Sequence, residues 1–466
     1  MTLAILRPLA DRVLPTLTVA VLFLTLVFGG GSQQGFWSDA LIQLASLPLL
    51  AVAVFTIFRA FPARSNVRAP LLLVSALLLL PLLQLVALPP YLWAGLAGRA
   101  DIAQAYAAAD IPLPWLPLSL NPTATWRSFV TLLPAVALFL ATLLLEERWH
   151  RVLILWVVAV VFISVPLDLL QMMDGPDSQL RFFAITNPDR AVGFFSNANH
   201  NAAFLYCAVP FAVALGITQL RQEQRTRGFA LLVALLLFAI VIGIAATRSR
   251  AGAVLGFVAW VSSMALVWRF STGVSRRPLI AFTFGTSLLA LLLAFQFGFV
   301  SLADRLQDPD VVGAFRWNIL VTTMYAVAGY FPFGSGFGTF VEVYQHFEPR
   351  MLLLDKYINH AHNDWLELCL EGGLLALAVL LGFVFWLSKS TYTVWRDRRS
   401  QGRGNGVVFA KAGSIVIILL MLHSGIDYPL RTASLLAVFA ISCGLLVSSS
   451  LPRKSAGATV EPVPKT

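Results

Sequence analysis

The most regular feature of this chain is a series of long apolar segments separated by short polar ones. Twelve segments have about the 17–25 residues that an α-helix needs to cross a bilayer. They lie near 13–29, 38–58, 70–89, 128–145, 152–172, 200–220, 229–246, 251–268, 279–300, 365–388, 408–423 and 433–450. The pattern predicts an all-α polytopic membrane protein with about twelve transmembrane helices, forming a single transmembrane domain over residues 1–450.

The composition agrees with a chain that lies mostly in lipid. Of its 466 residues 58% are hydrophobic and only 12% are charged, whereas soluble domains contain about 25% charged residues. Arg7 and Arg12 precede the first segment, as in a signal peptide. No small-residue cleavage site follows it and another apolar segment comes at once, so we expect a retained helix. Residues 451–466 are polar and contain proline, which predicts a disordered tail.

The net charge of +10 is divided unequally between the two sides of the predicted membrane protein. Loops on the side of the N-terminus contain 22 of the 33 lysines and arginines and only 6 of the 23 acidic residues. The positive-inside rule therefore predicts cytoplasmic termini in a bacterial inner membrane, with the other loops in the periplasm. Membrane insertion accounts for the basic charge, so we expect membrane lipid and no nucleic acid as a partner.

Charged residues avoid the middles of most apolar segments. They gather at the outer helix ends and in three outer loops, near 90–127, 173–199 and 301–364. A transporter usually places ionisable or helix-breaking residues near the bilayer midplane. The distribution thus argues against a flippase or transporter of lipid-linked glycan, which is the alternative from another functional class. It favours a site at the outer interface for a substrate with a lipid tail and a polar head.

Five outer arginines occupy short stretches or helix ends: Arg190, Arg248, Arg250, Arg316 and Arg431. Positive charges are disfavoured in short translocated loops, so their presence needs a reason. A guanidinium group binds two oxygens of a phosphate at once and does not deprotonate. For each arginine the alternative is a pair with an acid such as Asp189 or Asp427, or contact with lipid phosphate. For the group we predict an anionic ligand such as a diphosphate.

The loop 301–364, predicted between the ninth and tenth helices, contains a glycine run and ends in two histidines. No strand is predicted before Gly334–Gly338, so the run fits a tight turn better than a nucleotide site. Asp364 and Glu367 have the spacing of a capping box. His362 and Asn363 would then precede the tenth helix, at its electropositive end. That position favours a neutral imidazole, the form that accepts a proton.

A metal site is the alternative for the same loop. His360 and His362 are spaced as two ligands, but no third and fourth ligands are evident in the sequence. Asp308-Pro309-Asp310 resembles the acidic pair that holds a divalent metal in many glycosyltransferases, but its place in a proline-bearing loop favours simple solvation. The sequence predicts no metal and no cofactor. The charge of a leaving diphosphate would then be balanced by arginines.

The segment Asn359–Gly373, with the sequence NHAHNDWLELCLEGG, resembles the signature of the O-antigen ligase and O-antigen polymerase family. Further similar segments are 121–125, 190–200, 248–252, 332–340 and 423–431, so that the resemblance runs from about residue 115 to 445. It implies a lipid-donor (GT-C-like) membrane glycosyltransferase with its site on the periplasmic side. Such enzymes take glycan from undecaprenyl diphosphate and use no nucleotide sugar.

The resemblance also implies roles for individual residues. His362 is expected to be the catalytic base of an inverting transfer, with Arg190, Arg250 and Arg316 as catalytic arginines. The predicted substrate-binding residues are Arg248, Asn199, His200, His360, Asn363 and Arg431. His360 departs from the family pattern. The twelve-helix layout favours a ligase, whose acceptor is the lipid A core of lipopolysaccharide; the alternative is an O-antigen or exopolysaccharide polymerase, whose acceptor is another carrier-linked glycan.

Overall fold

The computed structural model describes residues 2–33, 35–60, 65–220, 226–270, 311–352, 357–397 and 404–449. The described residues are almost entirely helical. Their α-helices are α1 (Thr2–Phe28), α2 (Trp37–Ala60), α3 (Ser65–Gln84), α4 (Pro90–Trp93), α5 (Ala100–Ala108), α6 (Pro122–Leu144), α7 (Glu147–Asp174), α8 (Ala198–Leu220), α9 (Thr226–Ala246), α10 (Arg250–Phe270), α11 (Val311–Tyr330), α12 (Phe340–Phe347), α13 (Asp364–Arg396), α14 (Gly406–Ser424) and α15 (Ala433–Ser448).

Eight of these helices are long and apolar enough to cross a membrane: α2, α3, α6, α7, α8, α10, α13 and α14. Three shorter apolar helices, Arg12–Phe28, Leu232–Ala246 and Ala433–Ser448, coincide with the first, seventh and twelfth predicted segments. The polytopic all-α architecture is therefore confirmed. The ninth predicted segment, 279–300, lies outside the described residues, so the count of twelve stays a prediction.

Helix α8 lies at the centre of the bundle, and its membrane segment is completely buried. It packs against α7, α9, α10 and α14. Small residues allow close approach of these helices, as is common in membranes. A Cβ atom on Gly252 of α10 would lie only 2.4 Å from the Cβ of Ala202, so a larger residue there would force α8 and α10 apart.

Polar contacts group the loops at the two ends of the bundle. At one end, the backbone of Leu120 bonds that of Ser335, and the backbone of Ala191 bonds that of Ala246. At the other end, the carboxylate of Glu147 accepts a hydrogen bond from the backbone N–H of Gly406. The loops that the sequence predicts on the outer side thus meet at one end of the molecule.

The end at which these loops meet contains more regular structure than the sequence indicates. Between α3 and α6, the strands β1 (Ala87–Leu88) and β2 (Leu116–Pro117) form a short antiparallel pair. The predicted loop 301–364 is described at residues 311–352 and 357–364, and it contains α11, α12 and a 3-10 turn at Arg350–Leu352. These helices support the residues of the candidate site.

Candidate active site

The glycine run forms a turn packed tightly against α13. Gly334, Gly336 and Gly338 all have positive φ angles. A Cβ atom on Gly334 would lie 2.6 Å from the carbonyl oxygen of Glu371, and one on Gly338 would lie 2.8 Å from that of Ala124. The interpretation of the run as a turn where backbone packs on backbone is confirmed. Gly373 also has a positive φ, and it interrupts the regular helical backbone of α13. The glycine turn packs beside this interruption.

Asn363 caps the N-terminus of α13. Its side-chain oxygen accepts hydrogen bonds from the N–H groups of Trp365 and Leu366, each at 3.1 Å. Its amide nitrogen donates to the carbonyl of Gly425 at 3.0 Å. The sequence predicted the cap one residue later, at Asp364. That prediction was wrong, because the Asp364 carboxylate lies inside the helix and accepts a hydrogen bond from the Ser424 hydroxyl at 2.7 Å. Asn363 is thereby held in place at the start of the helix.

Arg431 lies among three buried carboxylates of α13. Its guanidinium is 3.0 Å from Glu371, 3.4 Å from Glu367 and 3.5 Å from Asp364. Burial by itself lowers the pKa of Arg431, but the three carboxylates outweigh it and raise the pKa above its usual value. We call Arg431 with Asp364, Glu367 and Glu371 the acidic cluster. The structure thus places Arg431 with acids, apart from the other outer arginines.

His360 joins the acidic cluster to the segment that follows α1. Its Nδ1 lies 2.8 Å from Oε1 of Glu367, and its Nε2 lies 3.0 Å from the carbonyl oxygen of Ser32. Burial opposes the charged form, but the Glu367 carboxylate outweighs burial and raises the pKa of His360. Because a carbonyl oxygen only accepts hydrogen bonds, Nε2 must donate. With Nδ1 facing a carboxylate, the contacts favour an imidazolium that has no free lone pair.

His362 has a different environment. It has a φ of +50° and keeps 21% of its side chain exposed. Its Nδ1 lies 3.1 Å from Oδ1 of Asp427. The carboxylate accepts, so Nδ1 carries the proton, and Nε2 of the neutral ring keeps its lone pair. No hydrogen bond joins Nε2 to another residue of the described ranges. The imidazole is thus oriented by Asp427.

Asp427 is the centre of the polar contacts at this end, although it is only 1% exposed. Oδ2 accepts from the Asn199 amide at 2.6 Å and lies 3.8 Å from the guanidinium of Arg316. Burial raises the pKa of Asp427, but the hydrogen bond from His362 and the electrostatic effect of the surrounding histidines outweigh it. The pKa therefore lies well below its usual range. Asp427 stays ionised, and sequence reasoning named it only as a possible arginine partner.

The ring of Tyr428 packs among three imidazoles. The ring centroids of His360, His200 and His362 lie 4.4, 4.8 and 4.9 Å from that of Tyr428. His200 is completely buried, and neither of its ring nitrogens has a hydrogen-bond partner in the part of the chain that the structure describes. Its position is inside the protein, against Tyr428, whereas His362 reaches the surface.

Arg190 lies close enough to Arg248 and Arg316 to be affected by their charges. Burial lowers the pKa of Arg190, and the charges of Arg316 and Arg248 lower it further. Arg248 has a φ of +51°, a strained conformation for a residue with a side chain. Ser249 beside it donates a hydrogen bond to Asn199 at 2.7 Å. We call Arg190, Arg248 and Arg316 the arginine cluster.

Most of the predicted residues therefore fall into two groups. Arg316, Asn199 and His362 contact Asp427, and Arg190 and Arg248 belong to the arginine cluster with Arg316. His360, Asn363 and Arg431 support the start of α13. Arg250 is exposed at the first position of α10, where no side-chain contact is described. Within the described ranges, no group of three or more His, Cys, Asp or Glu is arranged to hold a metal ion. Asp308 and Asp310 lie outside the described residues.

A family model described as O-antigen ligase matches residues 232–381, about a third of the chain. The matched segment contains Arg248, Arg250, Arg316 and His362. No curated protein matches the chain. The match confirms the resemblance to the O-antigen ligase and polymerase family. It supports a multi-pass membrane enzyme of the glycosyltransferase type, and it does not distinguish a ligase from a polymerase.

Proposed function

We propose that this protein transfers glycan en bloc from undecaprenyl diphosphate to a sugar hydroxyl, with inversion at the anomeric carbon. One observation carries the proposal. His362 is held through Nδ1 by the buried carboxylate of Asp427. The same carboxylate lies 3.8 Å from Arg316, a member of the arginine cluster whose like charges act on Arg190. This arrangement combines a proton acceptor with a binding site for an anionic leaving group.

The proton acceptor in this proposal is Nε2 of His362. As the acceptor hydroxyl attacks the anomeric carbon, Nε2 takes its proton and the ring becomes an imidazolium. Asp427 stabilises that charge and holds the ring in the required orientation, as the carboxylate of a catalytic triad does. The bond from the anomeric carbon to the diphosphate breaks on the opposite face, so the configuration inverts.

The arginine cluster binds the diphosphate of the carrier. Guanidinium groups balance the negative charge that grows on the diphosphate as the glycosidic bond breaks. Arg316 belongs to both parts of the site, because its guanidinium lies 3.8 Å from Asp427. The proposal assigns this stabilisation to arginines and requires no metal ion. Transfer should therefore persist in the presence of a chelator, and loss restored by magnesium or manganese would refute this part of it.

The site faces the periplasm of the inner membrane in this proposal. The support is the excess of basic residues in the loops at the opposite end, together with the positive-inside rule. Met351 is 96% exposed at the site end. A cysteine introduced there by Met351→Cys should react with a membrane-impermeant maleimide in spheroplasts. Labelling only after the membrane is opened would reverse the orientation.

The acceptor is the lipid A core in the ligase form of the proposal, supported by the description of the matching family. The test uses purified protein with undecaprenyl-diphosphate glycan and two acceptors, lipid A core and a second carrier-linked glycan. Glycan joined to the lipid A core supports the ligase form. Elongation of the carrier-linked glycan indicates the polymerase instead. Release of no undecaprenyl diphosphate with either acceptor would contradict glycosyl transfer altogether.

A further inference from the structure

The loop between α7 and α8, residues 175–197, carries Arg190 and contains no helix or strand. Such a loop keeps its shape only where its backbone is tied by other groups. One tie comes from Gln171 of α7. Its side-chain oxygen accepts from the N–H of Gly193 at 2.9 Å, and its nitrogen donates to the carbonyl of Leu180 at 2.9 Å. This amide fixes the part of the loop next to the bundle.

The second tie is Arg181, which lies within the loop. Its Nη1 donates to the carbonyls of Asn187 and Arg190, both at 3.1 Å. Its Nη2 donates to the carbonyls of Pro188 at 2.5 Å and Gly175 at 3.5 Å. One guanidinium thus joins the first residue after α7 to the turn 187–190 that ends in Arg190.

Arg181 has no terminal N–H group left for a ligand. Each terminal nitrogen of a guanidinium has two N–H groups, and all four point to backbone carbonyls. The remaining donor, Nε, is buried and has no partner in the described ranges. Arg181 therefore differs from Arg190, for whose guanidinium the described residues show no hydrogen bond to a backbone carbonyl.

The arginine cluster creates a need for such a tie. Arg190 lies near the like charges of Arg248 and Arg316, which repel it and disfavour its charged form. Without a ligand, a mobile loop would relieve the repulsion by moving Arg190 away. The neighbouring backbone is also fixed, because the N–H of Ala191 donates to the carbonyl of Ala246 at 3.2 Å. A fixed backbone keeps the site organised before the anion binds, and this reduces the conformational entropy that is lost on binding.

We infer that Arg181 is a positioning residue, which holds the backbone of Arg190 so that its guanidinium meets the diphosphate. This inference rests on the proposed function for the identity of the anion. Arg181 itself touches no substrate. Lysine cannot replace it fully, because one ammonium group cannot reach four carbonyls in a plane.

A double-mutant cycle on donor binding tests this role. Binding of a short-chain prenyl diphosphate to the purified protein is measured for Arg181→Ala, Arg190→Ala and the double variant. Loss of Arg190 should weaken binding about ten- to a hundred-fold, as for other hydrogen bonds to charged groups. Arg181→Ala should weaken it less, Arg181→Lys should recover only part, and the double variant should match Arg190→Ala alone. The exposed Arg127 provides the control, since Arg127→Ala should bind normally.

If Arg181→Ala weakened diphosphate binding equally in the presence and absence of Arg190, the inference would be overturned, because Arg181 would then act independently of Arg190.

A second measurement does not depend on the ligand. A nitroxide is attached to an introduced cysteine, Arg190→Cys, in a chain whose three native cysteines are replaced. Arg181→Ala should make the label more mobile, and an unchanged spectrum would also overturn the inference. A more mobile label together with normal diphosphate binding by Arg190→Ala would instead refute the proposed function and leave the tie intact.

Discussion

Nδ1 of His362 lies 3.1 Å from Oδ1 of Asp427, a residue 65 positions further along the chain. This contact links the large outer loop to the segment between α14 and α15. It fixes one ring nitrogen as a donor and leaves the other available to accept a proton. The proposed chemistry depends on this pair more than on any other contact in the structure.

Removal of the Asp427 charge should reduce the rate of transfer. In Asp427→Asn the side chain keeps its shape, but it no longer stabilises the imidazolium and can reverse the orientation of the ring. We expect kcat to fall on the order of a hundred- to ten-thousand-fold, the range for loss of general-base help. Donor KM should change much less. Steady-state kinetics checks this, with Asp189→Asn, an exposed carboxylate at the same end, as the control; a similar loss in both variants would contradict a special role for Asp427.

The arginine cluster should determine the use of the donor. Arg190→Ala, Arg248→Ala and Arg316→Ala should each raise the KM for the polyprenyl-diphosphate donor by about ten-fold or more, since each removes a charge-assisted contact. Lysine at the same positions should restore little, because a point charge does not make a two-pronged contact. The KM for the acceptor should remain nearly constant. Three variants with normal donor KM would show that these arginines serve only as surface anchors.

Arg431 should affect stability more than donor binding, because its charge is taken up by the acidic cluster. Arg431→Met would leave three buried carboxylates without a cation. Breaking buried ion pairs in this way costs about 3–5 kcal/mol. We therefore expect a clearly lower unfolding temperature in detergent, with little change in donor KM among molecules that remain folded. A stable variant with a raised donor KM would move Arg431 into the diphosphate site.

The pair of His360 and Glu367 should make stability depend on pH. The pKa of His360 is raised in the folded protein above its ordinary value of 6.5. The folded state therefore binds the proton more tightly than the unfolded state, and this contribution is complete below pH 6.5. It is lost as the pH rises through the raised folded value.

Thermal unfolding of the wild type should thus occur at lower temperature as the pH rises above 6.5. His360→Gln should remove this part of the dependence, since glutamine keeps a donor but does not titrate. An equal decrease in both proteins would assign the pH dependence to other groups.

The helices could be predicted from the sequence because lipid dictates the composition of a segment that crosses it. The candidate base and the arginine cluster could also be found, since they lie in short motifs beside apolar segments. The role of Asp427 could not, because Asn199 and His362 reach it from 228 and 65 positions away. Spacing along a chain gives no measure of such contacts.

Two details show where local rules were insufficient. Asn363 and Asp364 are both good capping residues, and the contacts of Asp364 with Ser424 and Arg431 determine which of them caps the helix.

The acidic cluster did leave a signal in the sequence. Asp364, Glu367 and Glu371 follow a spacing of three and four, which puts them on one face of α13. Three acids on one buried face require a cation, and Arg431 supplies it.

The most direct test of the central claim is the turnover of His362→Ala with saturating donor and acceptor. Loss of the base should lower kcat by about a hundred- to ten-thousand-fold, while the protein inserts, binds the prenyl diphosphate and unfolds at the wild-type temperature. Near-normal turnover of His362→Ala would contradict the account.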